Sequence, residues 1–135
     1  MADAVNERLA IRELVENWAV WRDAGDWERF RTVWHDDGRM MATWFQGTAD
    51  EFIAVSRAGF ETGVSILHFL GGISVDLAGH RAISQTKMTI SQRAEVEGVL
   101  AHPLAGPLLL GGVEDAVDEM LAGFGILHCE DVAGD

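Results

Sequence analysis

Apolar residues recur at helical spacing in the first part of the chain. Residues 3–24 carry an apolar stripe with the i, i+3, i+4, i+7 order of an amphipathic helix, which Gly25 ends. The stripe consists of Ile11, Leu14, Val15 and Trp18. Asp26 follows as the cap of a second helix, in which Trp27, Phe30 and Trp34 share a face. The turn residues "HDDG" at 35–38 close that helix.

The next segment combines one short strand with a third helix. The run "RMMATWF" at residues 39–45 predicts a strand. Thr48 is followed three residues later by Glu51, the spacing of a capping box, in which each residue satisfies a backbone N–H of the other. A third helix is therefore predicted from this point to about Ala58.

Two long strands are predicted after Gly63. The first is "SILHFLGGISVDL" at 65–77, and the second is "HRAISQTKMTISQR" at 80–93. In the second strand, one set of alternate positions holds Ala82, Ser84, Thr86, Met88 and Ile90. The order helix, helix, strand, helix, strand, strand predicts an α+β domain, with helices packed on one face of a curved antiparallel sheet.

Composition narrows the class of protein. The 135 residues (14.7 kDa) suffice for one domain, and no apolar run approaches the roughly 18 residues of a membrane span. The net charge of −12 argues against nucleic acid or an anionic membrane as partner. Cys129 stands alone, so an internal disulfide is excluded. The first residues lack the apolar core of a secretion signal, so we expect a cytoplasmic location.

The last third of the sequence has a different character. All 10 Lys and Arg precede residue 94, whereas residues 94–135 carry 9 Asp and Glu. Residues 99–112 are punctuated by Pro and Gly, and residues 113–125 read as an acidic helix. Either residues 96–135 are a divergent ending that packs through its apolar side chains, or the coding frame shifted after about Val96. We favour the divergent ending within a single domain of residues 1–135. The side chains expected to be buried are Leu108, Leu109, Leu110, Met120, Leu121 and Phe124.

His68 and Asp23 are the first candidates for chemistry. His68 lies inside an apolar strand, and Asp23 lies at the end of the first helix, where the macrodipole disfavours a carboxylate. If the helix crosses the sheet, the carboxylate could orient the ring by accepting from one nitrogen and leave the other nitrogen as a base. A satisfied core histidine and a solvated helix end are the alternatives.

Other polar and aromatic residues are weaker candidates. His35, Asp36 and Asp37 could be metal ligands, but a turn explains them, and we expect neither a metal nor a cofactor. Lys87 and Arg93 could bind an anionic group, although solvent or a subunit interface also suits them. Four aromatic residues could line a pocket or pack in the core, and two polar residues of the last predicted strand could contact substrate. These six are Trp18, Trp44, Phe52, Phe69, Thr89 and Ser91.

Three motifs together resemble the scytalone dehydratases and the wider SnoaL-like, nuclear-transport-factor-2-like (NTF2-like) group. They are "RDAGDWERFR" at 22–31, "LHFLGG" at 67–72 and a strand ending in "SQR" at 91–93, within roughly the first 95 residues. The resemblance implies a cone-shaped α+β barrel with an apolar pocket between sheet and helices. It also implies a catalytic Asp–His pair at Asp23 and His68. A related dehydrochlorinase of chlorinated cyclohexanes has a similar pair.

The sequence departs from scytalone dehydratase at two features. Ser91 occupies the position of a second catalytic histidine, and the chain has no tyrosine to hold a water on the substrate carbonyl. The prediction is therefore a cofactor-independent lyase or isomerase, of dehydratase, dehydrochlorinase or cyclase type, acting on a small hydrophobic cyclic molecule. A non-catalytic ligand-binding or assembly domain is the alternative. Relatives commonly associate through the outer face of the sheet, so we expect a homo-oligomer, trimer or dimer.

Overall fold

The computed structural model describes residues 2–42, 44–96, 99–101 and 127–130. Its elements, in chain order, are α1 (Ala2–Ala24), α2 (Trp27–Thr32), β1 (Arg39–Met41), β2 (Gln46–Thr48), α3 (Ala49–Glu61), β3 (Ser65–Ala78), β4 (Arg81–Val96), β5 (Val99–Ala101) and β6 (Leu127–Glu130). The predicted α+β class, with helices and an antiparallel sheet, is confirmed.

The helix ends follow the local signals of the sequence. Gly25 ends α1 in the left-handed region, at φ +71°, which glycine adopts without strain. The Asp26 side chain caps α2 by accepting from the Arg29 backbone N–H. The predicted capping box opens α3: Glu51 donates its N–H to Thr48 at 3.2 Å, and its carboxylate accepts the Thr48 N–H at 2.8 Å. This helix continues to Glu61, one turn beyond the predicted end.

Residues 39–45 do not form the single strand that was predicted. The chain reverses after three paired residues, so that β1 and β2 make a short antiparallel hairpin with Arg39 opposite Thr48. The Ala42 N–H donates to the Phe45 carbonyl at 2.8 Å and closes the turn. The prediction was wrong because an apolar run has no period that marks an internal reversal.

The long strands β3 and β4 form the centre of the sheet. They pair antiparallel from Ser65 opposite Arg93 to Ala78 opposite Arg81, with a bulge between Leu70 and Ile73. Strands β5 and β6 pair with opposite ends of β4. The glycines at 71 and 72 thus fall where the register shifts, which is a common use of glycine in strands.

Helix α1 runs along β3 and bonds to its backbone. Arg8 donates to the Val75 carbonyl, and Arg12 donates to the Ile73 carbonyl at 3.3 Å. Within the described residues, β3 pairs with β4 alone, so these arginines satisfy carbonyl groups on its other edge. The same packing brings the end of α1 to the first half of β3.

An aromatic core fixes the three helices against each other. Phe30 is completely buried, and its ring contacts the rings of Trp18, Trp34 and Phe52 at centroid separations of 5.5, 6.0 and 6.3 Å. Burying one such side chain contributes roughly 1.5–3 kcal/mol. Tryptophan and phenylalanine side chains from all three helices therefore hold α1 in place above the sheet.

Parts of the predicted ending fall outside the described residues. These are the acidic helix at 113–125 and the six apolar residues that we expect to be buried. The described pieces of the ending are β5 and β6. Among the described residues, no helix is long and apolar enough to span a membrane.

Candidate functional site

Asp23 and His68 lie in direct contact, 45 positions apart in sequence. Asp23 is in the last turn of α1, and His68 points from β3 toward that helix. Asp23 Oδ1 is 2.7 Å from His68 Nδ1, and Oδ2 accepts the His68 backbone N–H at 2.6 Å. One carboxylate therefore holds both the ring and the backbone of the same histidine.

This contact sets the tautomer of the ring. An ionised carboxylate can only accept hydrogen bonds, so Nδ1 carries the proton of the ring and donates a hydrogen bond to Asp23. In the neutral imidazole, the lone pair is then on Nε2. The Trp18 ring packs edge-on against His68, with centroids 5.1 Å apart and planes at 86°, which restricts rotation of the imidazole.

The edge position of β3 explains why an aspartate is tolerated at the end of α1. The His68 N–H lies on the strand edge that α1 covers, and without Asp23 it would be a buried donor lacking a partner. Two short hydrogen bonds compensate the unfavourable macrodipole of the helix end. The Asp23 and His68 side chains are 12% and 7% exposed, so water competes weakly for these bonds.

The second ring nitrogen of His68 remains available. Among the described residues, Nε2 has no hydrogen-bond partner, and it is not one of the fully enclosed polar atoms. Ile90 lies opposite His68 on the same face of the sheet and is exposed. A molecule approaching this face would meet an oriented imidazole with a free lone pair.

A cavity of about 180 Å³ is lined in part by residues close in sequence to the Asp–His pair, although neither Asp23 nor His68 is part of its lining. The C-terminal turn of α1, the second half of α3, the start of β3 and the loop before β2 surround it. Its lining is Arg22, Trp44, Val55, Ser56, Gly59, Phe60, Val64 and Ile66. Ile66 and His68 share a face of β3, and Arg22 precedes Asp23, so the cavity and the pair are neighbours.

Two polar side chains of the cavity were not candidates from the sequence. Arg22 is 5% exposed, and Ser56 is 4% exposed. Burial lowers the pKa of Arg22 below its usual value, and the adjacent Asp23 carboxylate partly opposes this. Arg22 sits on the helix flank beside Trp18, an i, i+4 relation that could have marked it as inward-facing.

The predicted pocket residues separate into three groups. Trp18 and Phe52 are buried in the aromatic core, and Trp18 also contacts His68. Trp44 is exposed and lines the cavity. Phe69, Thr89 and Ser91 face the other side of the sheet, since side chains alternate along a strand.

The last group corrects the expectation that these residues share a pocket with His68. Phe69 is 61% exposed and is opposite Thr89, while Ser91 is opposite Leu67. Side chains two positions apart on this part of β3 share a face of the sheet, so residues 66, 68 and 70 point toward the helices. Residue 69 points to the opposite, outer face. Lys87 and Arg93 lie on this outer face as well.

Two other histidines of the described residues, His35 and His80, occupy turns. His35 Nδ1 accepts the Asp37 N–H at 3.2 Å, the local hydrogen bond of a turn. His80 is exposed in the turn between β3 and β4. Within the described part of the chain, no three His, Cys, Asp or Glu side chains form a group that could hold a metal ion.

The helices, antiparallel sheet and inward-facing Asp–His pair define an α+β domain of the NTF2-like, cystatin-like fold. Comparison with protein families agrees: the model of the SnoaL-like domain matches residues 3–120. The chain belongs to the SnoaL-like family, as its motifs predicted. This fold family contains isomerase-type, dehydratase-type and ligand-binding proteins.

Solved structures share the fold. An NTF2-like protein with a cystatin-like fold from Novosphingobium aromaticivorans is 25% identical, with a TM-score of 0.54 over 78% of this chain and 70% of that chain. A "Putative Scytalone Dehydratase" from the same organism is 15% identical, with a TM-score of 0.57 over 76% and 83%. Rv3472 from Mycobacterium tuberculosis is 13% identical, with a TM-score of 0.60 over 98% and 96%.

Fungal proteins are similar in sequence over about two thirds of the chain. Pea pathogenicity protein 2 of Fusarium vanettenii is 42% identical over 95 residues, which are 68% of this chain and 41% of that protein. A PEP2-like protein of the same fungus is 39% identical over 97 residues, or 70% and 42%. The chain thus spans about two fifths of the length of these relatives.

Proposed function

We propose that this domain is a cofactor-independent lyase or isomerase in which His68 abstracts a proton from a small hydrophobic cyclic molecule. The observation that carries the proposal is the contact of Asp23 with both Nδ1 and the backbone N–H of His68, which leaves Nε2 unpartnered among the described residues. His68 is the catalytic residue, and Asp23 is a positioning residue.

The reaction begins when Nε2 takes a proton from a carbon next to an electron-withdrawing group. The imidazole becomes an imidazolium, whose charge the Asp23 carboxylate stabilises through Nδ1. Departure of a leaving group from the neighbouring carbon completes an elimination, and return of the proton to a different carbon completes an isomerisation. Ring closure follows if the carbanion attacks an internal electrophile.

The apolar surroundings support a hydrophobic substrate. Trp44, Phe60 and Val64 form part of the cavity wall, and Trp18 borders the imidazole. The Asp23 and His68 side chains are largely buried, which strengthens the interaction between the imidazolium and the carboxylate, because charges interact more strongly at low dielectric. The lining therefore suits a molecule that carries an apolar ring.

Hydrogen–deuterium exchange tests the proton-abstraction step alone, so the complete reaction need not be identified. Small cyclic ketones and lactones are incubated with the protein in D₂O, and loss of the acidic C–H signal is followed by NMR. The His68→Gln variant should lower the enzyme-dependent exchange rate by roughly 10²–10⁴. His80→Gln, which changes an exposed turn histidine, is the matched control and should leave the rate unchanged.

Two results would refute the assignment of His68 as the base. One is equal exchange in wild type and His68→Gln, and the other is an equal loss of exchange in the His80→Gln control. Circular dichroism and thermal unfolding of each variant separate loss of the base from loss of the fold.

A non-catalytic ligand-binding or assembly domain is the second candidate. The hydrogen bond from the His68 backbone N–H to Asp23 favours it. A carboxylate at this position already has a structural role, because it accepts the hydrogen bond of a backbone N–H at the edge of β3. Under this alternative, the wild-type protein binds cyclic ligands but promotes no exchange in any of them. A ligand-dependent chemical shift without deuterium incorporation would establish it.

We also propose that residues 1–135 form one domain and that it associates as a homo-oligomer, trimer or dimer. The outer face of β3 and β4 supports the second part, since Leu67 and Phe69 are both exposed there. Exposed apolar residues on a sheet face are typical of interaction surfaces. Light scattering that showed a monomer at micromolar concentration would contradict it.

A further inference from the structure

The cavity beside His68 contains a buried cation that lacks a hydrogen-bonded partner. Arg22 is 5% exposed, and among the described residues its guanidinium makes neither a hydrogen bond nor an ion pair. Its nitrogens are not among the fully enclosed polar atoms, so they reach the space of the cavity. A buried charge is costly unless it is paired. The guanidinium presents several N–H donors in a planar fork that matches a carboxylate.

Asp23 does not supply the missing partner. It is adjacent in sequence and attracts the Arg22 charge, but its two oxygens bond to His68 Nδ1 and to the His68 N–H. Successive residues of a helix also project about 100° apart, since one turn takes 3.6 residues. The guanidinium therefore lines the cavity while the carboxylate turns toward β3.

Ser56 adds an independent polar group to the same cavity. Its Oγ is fully enclosed and has no hydrogen-bond partner within the described residues. Buried hydroxyl groups are normally hydrogen-bonded. Ser56 of α3 and Arg22 of α1 line one space, so an acceptor bound to the guanidinium reaches the Ser56 hydroxyl once that side chain rotates toward the cavity.

The rest of the lining defines what else the ligand carries. Val55, Phe60, Val64 and Ile66 are apolar, and Trp44 offers a ring face. The volume of about 180 Å³ equals that of roughly six water molecules, enough for a single ring with a short substituent. An oxyanion joined to a small apolar ring fits both halves of the lining.

We propose that Arg22 and Ser56 form an anion subsite that binds the carboxylate of a small cyclic carboxylic acid, with the ring held toward His68. As a statement about the substrate, the proposal rests on the proposed function and narrows it to carboxylate-bearing molecules. Binding of the carboxylate itself requires no catalysis. The subsite can therefore be tested separately from the base.

Calorimetry with charged and neutral probes tests the subsite. Benzoate and cyclohexanecarboxylate are compared with their neutral methyl esters in binding to the 135-residue chain. The carboxylates should bind wild type at least tenfold more tightly than the esters, because a charge-assisted bond to a buried group is worth about one to two decades in affinity. Arg22→Gln should abolish this difference, and Arg22→Lys should restore part of it.

Two further variants control the interpretation. Arg29→Gln makes the same charge change at an arginine whose side chain is 68% exposed, and it should leave the preference for carboxylates intact. Ser56→Ala should weaken carboxylate binding several-fold without lowering the melting temperature, because its hydroxyl has no described partner to lose. This variant keeps the test decisive if Arg22→Gln fails to fold.

Equal affinity for acids and esters in wild type would overturn the subsite. So would an equal effect of Arg22→Gln and Arg29→Gln, or unchanged binding in Ser56→Ala. A carboxylate preference that depends on Arg22, combined with normal exchange in His68→Gln, would refute the proposed base and leave the subsite standing. A carboxylate preference that does not depend on Arg22, combined with lowered exchange in His68→Gln, would refute the subsite and leave the proposed base standing.

Discussion

Replacing Asp23 with asparagine separates the two tasks of this side chain. In Asp23→Asn, the amide oxygen can still accept the His68 backbone N–H, which keeps the edge of β3 satisfied. The amide NH₂ then faces Nδ1 and can only donate. The ring must respond by moving its proton to Nε2, so the substitution removes the base while leaving its ring in place.

The structure sets the expected change in stability. Bonds to a charged acceptor contribute about 1.5–3 kcal/mol and neutral ones about 0.5–1.5, so two altered bonds cost about 2 kcal/mol. Removing a negative charge from the C-terminal turn of α1 stabilises the helix by about 0.3–1 kcal/mol, because the helix dipole disfavours a carboxylate there. We expect a net loss of roughly 1–2 kcal/mol, seen as a melting temperature lower by a few degrees. Asp23→Ala leaves the His68 backbone N–H and Nδ1–H without an acceptor, and it should lower the free energy of unfolding by roughly 2–6 kcal/mol.

Nitrogen NMR of the imidazole rings reads the tautomer directly and needs no substrate. In wild type at a pH where the ring is neutral, the unprotonated nitrogen of His68 should be Nε2, and in Asp23→Asn it should be Nδ1. His68→Gln identifies the signal among the five histidines. Asp26→Asn, at the carboxylate that caps α2, is the control and should change nothing at His68.

An unchanged tautomer in Asp23→Asn would refute the argument that the carboxylate orients the ring. Deuterium exchange should fall by roughly 10²–10⁴ together with the tautomer change. Full exchange activity with Nε2 protonated would show that the imidazole is not the base.

Three other predictions concern stability and assembly. Phe30→Ala should lower the free energy of unfolding by about 3–5 kcal/mol in denaturant titrations, because the ring is completely buried among aromatic neighbours; a loss below about 1 kcal/mol would contradict its place at the core centre. Hydrogen bonds from the Thr48 backbone and side chain lower the pKa of Glu51 in the folded protein. The ionised Glu51 carboxylate therefore stabilises the fold fully at pH values above its pKa in the unfolded chain, and this stabilisation is lost as the pH falls through its lower pKa in the folded protein. Thermal unfolding in acid should show a flatter pH dependence for Glu51→Gln than for wild type, and identical curves would disprove the linkage. Phe69→Lys on the outer sheet face should shift light scattering toward monomer, whereas Val20→Lys on α1 should not; oligomers that survive both changes would place the interface elsewhere.

The fold was predictable where local chemistry decides the structure. The Asp26 cap and the Thr48–Glu51 capping box mark the starts of α2 and α3 in the sequence, and the structure contains both. The Gly71–Gly72 pair coincides with the shift in register of β3. The β1–β2 hairpin was not predictable, because its turn lies inside an apolar run and no residue pattern marks the reversal.

The sequence indicated those site residues whose position in a helix or strand is unusual for their chemistry. Asp23 stands out because a carboxylate at a helix C-terminus needs compensation, and His68 because an ionisable ring in an apolar strand needs a partner. Phe69, Thr89 and Ser91 were misplaced because aromatic or polar character does not report the face of a strand. Phe69 follows His68 directly and so points to the other face of β3, and Thr89 and Ser91 share that outer face because they lie opposite Phe69 and Leu67.

Arg22 shows what sequence position leaves open. An arginine in the last turn of a helix is typical of a solvated side chain that complements the macrodipole, and its i, i+4 relation to Trp18 is the one sequence signal for the opposite orientation. Only the packing of α1 between α3 and β3 shows that the residue is enclosed while its neighbour Asp23 is engaged with His68. The helix end thus presents a carboxylate to the base and a guanidinium to the cavity from consecutive residues. The geometry that orients the base also sets its distance from a carboxylate bound at Arg22, because both depend on the position of this one helical turn.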